Sequence, residues 1–159
     1  MKSRVIVGIV VGVICLLVGF IGGKIMSGTC SNSTFGKGEL NVNYAKYFKG
    51  NSYLKPLTTE QMGVFNVTFE PKCRNNWHIH HGGGQILLVT DGSGYYQEWG
   101  KEARKLKKGD VVNIPPETKH WHGASKDSWF THVAIEVPST NGSTEWLEEV
   151  SDEEYDKLK

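Results

Sequence analysis

The chain has 159 residues, 38% of them hydrophobic and 22% charged, the composition of one ordinary globular domain rather than of a disordered or fibrous polypeptide. Its formal net charge is +1 and no Lys/Arg-rich run follows the N-terminus, so the electrostatic footprint of a nucleic-acid binder is missing and nucleic acid is excluded as a partner.

The first predicted element is the uninterrupted, uncharged run 5–23, preceded by Lys2 and Arg4 and followed by Lys24. At about 1.5 Å per helical residue it extends about 28 Å, close to a hydrocarbon core of about 30 Å. It therefore predicts a transmembrane signal anchor. It is longer than the apolar region of a secretory signal peptide, and 27–29 make an unpersuasive cleavage site; cleavage would instead release a secreted domain. Lys2, Arg4 and the α-amino group outweigh Lys24, which puts residues 1–4 in the cytoplasm and the rest of the chain outside. Gly8 with Gly12 and Gly19 with Gly23 form GxxxG pairs able to pack two such helices together. Residues 24–38, rich in Ser, Gly, Thr and Asn, predict a flexible tether, and the domain is expected over 39–159. Cys15 falls in the apolar run, leaving Cys30 and Cys73 as two lone thiols that make no disulfide framework.

From Glu39 onward, short alternating apolar runs predict strands over 64–69, 85–90, 95–99, 110–114 and 130–137. They are punctuated by Glu70-Pro71, Asp91-Gly92-Ser93-Gly94, Lys108-Gly109-Asp110 and Pro115-Pro116. Many short strands at close spacing point to an all-β barrel or sandwich. Only 151–157 reads as helix, with Ser151 as N-cap and acidic residues in its first turn, and the acidic tail 148–156 is expected to be solvated.

All six histidines lie between His78 and His132, and imidazole is the commonest metal-ligand side chain. In a strand, residues two apart share a face, so His78 and His80 form a clamp while Trp77, Ile79 and His81 point away. Gly82-Gly83-Gly84 turns the backbone, Gln85 can offer its amide oxygen to the same point, and His120 closes the set. His122 shares the face of His120. His132 alternates with Phe130 and Ala134, so it faces the interior without being a ligand, as a general base beside a metal must. Trp77, Trp99, Trp121, Tyr95 and Tyr96 are expected in the core, on a sheet face or at a dimer contact.

These residues resemble the two motifs of the cupins. His78, His80, Gln85 and Gly92 match the first motif, with Gln in place of Glu and no leading glycine; Gly109, Pro115 and His120 match the second, with Glu117 and Ala124 departing from it. The runs 66–71, 119–124, 131–135 and 146–153 are also similar to two related groups, the cupin domain of carboxymuconolactone decarboxylase-like fusion proteins and the manganese-dependent cupin hydroxynitrile lyases. The resemblance implies a cupin jelly-roll β-barrel that homodimerises through an N-terminal strand from 41–56. It further implies a metal, Mn first and Fe, Ni, Co or Zn also suited, held by His78, His80, Gln85 and His120. His132 is implied as catalytic base, with His122 lining the site. The Gly-rich turn is one residue longer here than in the lyases.

The Gln-for-Glu exchange leaves the full +2 charge on a bound ion, which strengthens it as a Lewis acid and removes the two-His-one-carboxylate pattern of iron oxygenases. The expectation is a membrane-anchored metal-dependent cupin acting on a small oxygenated molecule by lyase or decarboxylase chemistry. A cupin dioxygenase and a non-catalytic, metal-dependent ligand-binding module are the alternatives.

Overall fold

The computed structural model describes residues 33–158. The expected anchor and most of the tether lie outside them, and among the described residues no helix is long and apolar enough to cross a membrane.

The described chain is all-β apart from two short helices. Its strands are β1 (Glu39–Leu40), β2 (Phe48–Lys49), β3 (Ser52–Thr58), β4 (Val64–Phe69), β5 (Arg74–Asn75), β6 (His78–His81), β7 (Gln85–Glu98), β8 (Arg104–Lys107), β9 (Val111–Ile114), β10 (His120–Ala124), β11 (Phe130–Glu136) and β12 (Ser143–Trp146). A 3₁₀ turn, Ala45–Tyr47, precedes β2, and helix α1 (Asp152–Asp156) is the last element among the described residues. The hydrogen-bonded order is β1-β3-β4-β11-β7-β10-β5-β2, with β12 on β6, β6 on β10, and β8 and β9 both on β7. This is a half-barrel of jelly-roll character.

Alternation decides which side chains fill it. In β4, Val67 and Phe69 join the core with Leu87, Val89, Ile114, Phe130 and Ala134, and Phe65 packs against it. On the opposite face of β4 the Thr68 hydroxyl accepts a bond from Thr131 at 3.2 Å, and Asn66 donates to the Gly36 carbonyl at 2.8 Å. A second cluster forms outside the barrel, where Trp77, Tyr95 and Trp121 are covered by Val150 and Tyr155 of the tail. Tyr95 and Tyr96 thus serve opposite sides of one strand, while Trp99 stays exposed with its ring against Trp77 and the Lys119 ammonium above it.

One expectation needs correction and one needs completing. The segment 91–94 is not a turn between two strands: β7 runs unbroken through it, pairing with β11 and β9 in its first half and with β8 and β10 in its second. The registers Thr131↔Asp91 and His132↔Val89 leave one extra residue on β7, a bulge that lets the strand pass between sheets. Gly92 sits in the bend at φ 71°, where a Cβ would collide with the Trp129 carbonyl oxygen, so glycine here serves a close approach and not a reversal.

The tail keeps its acidic side chains in water, as expected, but it is also docked on the barrel through its apolar residues. Val150 and Tyr155 are buried, and the Tyr155 hydroxyl donates to the Ala124 carbonyl at 2.7 Å. The Arg74 guanidinium, almost wholly buried, bonds the Val150 carbonyl at 2.9 Å and the Asp152 carboxylate at 2.7 Å. Ser151 caps α1 in a capping box with Glu154, as its sequence position suggested.

Candidate metal centre and pocket

Cross-strand register assembles the site. His78 and His80 project from one face of β6, and His120 on β10 pairs directly with His78. One ring nitrogen from each of these three buried histidines lies within 4.8 Å of the others, a group that could hold a metal ion.

What their other nitrogens do strengthens that assignment. The Nδ1–H of His78 donates to the Asn76 carbonyl at 2.9 Å and that of His120 to the Thr118 carbonyl at 2.8 Å. The Thr144 hydroxyl lies 3.2 Å from Nδ1 of His80 and can accept its proton. With Nδ1 tied off in this way, Nε2 keeps the lone pair, the arrangement in which an outer hydrogen bond orients a ligating imidazole. The Nε2 atoms of His80 and His120 and the Oε1 atom of Gln85 are buried without a hydrogen-bond partner. Buried acceptors left without a partner are costly unless something completes them, so the donor set fits a cation.

Electrostatics keep the imidazoles neutral. Burial pushes His78 well below its usual range, helped by His120 and His80, and lowers His120 to about 4. Burial also lowers His80, against a contact with the Gln85 side chain that raises it.

A cavity of about 360 Å³ opens beside these residues, within the usual range for a small-molecule site. His122 and His132 line it. His132 stacks on Phe69 at 5.6 Å between ring centroids and meets the edge of His122 at 4.8 Å. Both its ring nitrogens are buried without a partner, and burial alone lowers its pKa to about 3. Burial, then the neighbouring histidines, hold His122 well below its usual range.

The comparisons with known proteins agree with this geometry. The cupin-domain family model matches residues 65–134. The (R)-mandelonitrile lyase of Granulicella tundricola is 43% identical over 115 residues, which cover 70% of this chain and 87% of that protein. The chain belongs to the cupin family. A crystal structure of a cupin-like protein from Thermotoga maritima is 46% identical, with a TM-score of 0.74, covering 79% of this chain and 96% of that one. A predicted oxalate decarboxylase from the same organism, at 18% identity and a TM-score of 0.58 over 69% of this chain and 98% of its own, shares the fold.

Several pocket residues of this cupin escape the motifs. Trp146 and Thr144, two apart on β12, pair in register with His78 and His80. Trp146 stacks on His78 at 4.7 Å and on Tyr47 at 4.6 Å, forming one wall. Asn41, Tyr44, Phe48 and Leu54 come from the N-terminal segment and close another side. The signal for Thr144 and Trp146 was their period of two; nothing local tied them to β6.

Outside the pocket, His81 faces away as expected, clasped by Glu117 at 2.6 Å and Glu145 at 3.0 Å. Those carboxylates raise its pKa. Glu117 stands where the second motif has glycine, and it keeps the glycine-like backbone, φ 64°. Its carboxylate accepts from Gly82 N–H at 3.0 Å as well as from His81, so the side chain ties the Gly-rich turn in place. Cys73 is buried, and burial pushes its thiol far up, leaving it protonated and inert.

Proposed function

We propose that this cupin is a metal-dependent lyase that cleaves a small, uncharged, oxygenated molecule carrying an apolar or aromatic body. His78, His80, Gln85 and His120 are its metal ligands, with manganese the favoured ion. A divalent ion bound there supplies Lewis-acid polarisation of a substrate oxygen.

The observation that carries the proposal is the pairing of orphaned, uncharged metal-ligand atoms with a proton-handling imidazole in one apolar pocket. His132 is held neutral by burial, so its lone pair is available at neutral pH. It takes the hydroxyl proton of a hydroxynitrile as the O–H electron pair forms the carbonyl and the C–CN bond breaks, its pair leaving with cyanide. The same burial favours return of that proton to the departing cyanide. His122 contacts the reacting group from the adjoining wall. Phe48, Leu54, Phe65, Phe69 and Trp146 offer the body of the substrate an aromatic and aliphatic surface, and among the described residues Glu136 is the one formally charged side chain lining the cavity. Among the described residues no Lys or Arg lines it to receive a carboxylate or phosphate.

Two further parts of the proposal rest on other features. The run 5–23 supports a reaction outside the cytoplasm at a membrane surface. Leu40 and Val42, exposed at the end of the sheet where β1 is the edge strand, support a homodimer formed through the N-terminal strands.

The test is metal analysis of the purified chain and of His78→Ala, followed by assay of the Mn-loaded protein for benzaldehyde release from (R)-mandelonitrile. About one ion per chain, lost in the variant, with turnover that His132→Ala abolishes without losing metal, supports the lyase. Metal-dependent oxygen consumption would instead indicate a dioxygenase, and ligand retention without turnover in both proteins a binding module.

A further inference from the structure

Residues 41–48 run along the cavity as a strap, and Asn41, Tyr44 and Phe48 supply part of its wall. The strap is pinned at both ends. The Asn41 N–H donates to the Ser52 carbonyl at 2.9 Å, and β2 pairs with β5 at Phe48↔Asn75 and Lys49↔Arg74. Between the pins its 3₁₀ turn buries no side chain, and Val42 and Tyr44 are exposed. A segment with so few buried apolar contacts opens locally at a far lower cost than the barrel unfolds. Two contacts hold its middle, and both lead to His78. The Tyr47 ring stacks on Trp146 with centroids 4.6 Å apart and planes 7° from parallel, and Trp146 stacks in turn on His78 at 4.7 Å and 30°. The register Trp146↔His78 sets the indole against the imidazole. Asn76 makes the second link, since its N–H donates to the Tyr47 carbonyl at 2.8 Å while its own carbonyl meets Nδ1 of His78 at 2.9 Å.

We infer that Tyr47 and Trp146 are positioning residues for His78, and that they couple closure of the 41–48 strap over the cavity to metal occupancy. The closed strap holds the His78 ring in place through the stack, so an ion captures a ligand that has little freedom left to lose. An ion that fixes the ring gives Trp146, and through it Tyr47, a rigid surface to pack on. The coupling is reciprocal: the factor by which the metal favours closure equals the factor by which closure tightens the metal. Because Asn41, Tyr44 and Phe48 belong to the cavity wall, the wall is most complete when the ion is bound. The inference rests on the metal-site part of the proposed function and is independent of the lyase chemistry.

The experiment measures amide hydrogen exchange by mass spectrometry and Mn²⁺ affinity by calorimetry, both on the full chain in detergent. Mn²⁺ is expected to slow exchange in peptides covering 41–48 by roughly two- to tenfold, the range of a stacked aromatic pair, and to leave β8 unchanged. Tyr47→Leu, which removes the stack at a half-buried position, should weaken Mn²⁺ binding by that same factor and abolish the slowing. Tyr47→Phe keeps the stack and should behave as the wild type. A stack with only a structural role would lower the melting temperature of Tyr47→Leu and leave its Mn²⁺ affinity unmoved, and that result overturns the inference. Mn²⁺ binding that leaves the strap's exchange unchanged, or slows β8 equally, overturns it too. Should Tyr47→Leu fail to fold, the wild-type exchange decides alone. A wild type that binds no Mn²⁺ removes the metal site and the coupling together, whereas binding and slowing without turnover support the coupling and count against the lyase alone.

Discussion

Replacing His132 by Phe should stabilise the protein while abolishing its chemistry. The imidazole is fully buried, has no partner for either ring nitrogen, and packs among Phe69, Phe130 and His122. An unsatisfied buried polar group costs about 1–3 kcal/mol, so a phenyl ring of similar shape should gain about 1–2 kcal/mol at pH 7. The pH dependence is the sharper test. The pKa is lowered from 6.5 to about 3 in the folded protein, so the unfolded chain binds a proton that the folded chain refuses between those values. Stability is full above 6.5 and is lost progressively as pH falls towards 3. At about 1.4 kcal/mol per pH unit, His132 alone removes about 2 kcal/mol by pH 5. The advantage of His132→Phe should therefore grow by about 2 kcal/mol from pH 7 to pH 5, roughly 1 M in urea midpoint for a domain of this size. Urea unfolding of both metal-free proteins, followed by tryptophan fluorescence, reads this directly. A variant less stable at pH 7, with a pH profile parallel to the wild type, would refute the reasoning by showing that the ring nitrogens are satisfied in solution.

Gln85→Glu adds the carboxylate of the common motif, so it should hold metal more tightly against a chelator and lower turnover by roughly tenfold or more, because it cancels one unit of the ion's charge; equal turnover would show that Gln85 does not reach the ion. Glu136→Gln should raise affinity for benzoate relative to benzyl alcohol by roughly two- to fivefold, the range of one exposed charge, read by ligand-induced shifts in the Zn-loaded protein. Tyr155→Phe loses the bond to the Ala124 carbonyl and should cost about 1–1.5 kcal/mol in thermal unfolding without altering metal content. The Gly82 N–H and then His81 hold Glu117 low, while Glu117 and then Glu145 raise His81, so the stabilising effect of the Glu117–His81 pair is present above about 4.5 and lost as pH falls, and present below about 6.5 and lost as pH rises. The stability lost in Glu117→Gly should accordingly peak between those pH values, and a flat difference would deny the pairing.

What was legible in the sequence was whatever depends on short-range pattern. The period of two that put His78 and His80 on one face also gave β4, β9 and β11 nearly to the residue, because each has one face in the core. Asp91-Gly92-Ser93-Gly94 misled, since the chemistry of a hairpin turn and of a strand crossing between sheets is the same: both need glycine where a Cβ has no room. The acidic tail was half legible, because charge counts describe side chains and not the spine carrying them; Val150 and Tyr155 anchor a segment whose Glu149 and Glu153 remain in water.

The outer hydrogen bonds of the site were hidden for a different reason. Thr144 reaches His80 across 64 residues, and Asn75 reaches His122 across 47. No local pattern encodes such pairs; only the register of β12 on β6 and of β5 on β10 brings them together. The same registers are secured away from the pocket, by Arg74 holding the tail and by Trp77, Trp121 and Tyr155 packing beneath it. A cluster of neutral, partly unsatisfied imidazoles opposes folding, so it can persist only on strands whose stability comes from elsewhere. The docked tail supplies that support to β5 and β10, the two strands that carry Asn75, His120 and His122. Loosening it should therefore disturb the orientation of these rings before it unfolds the barrel.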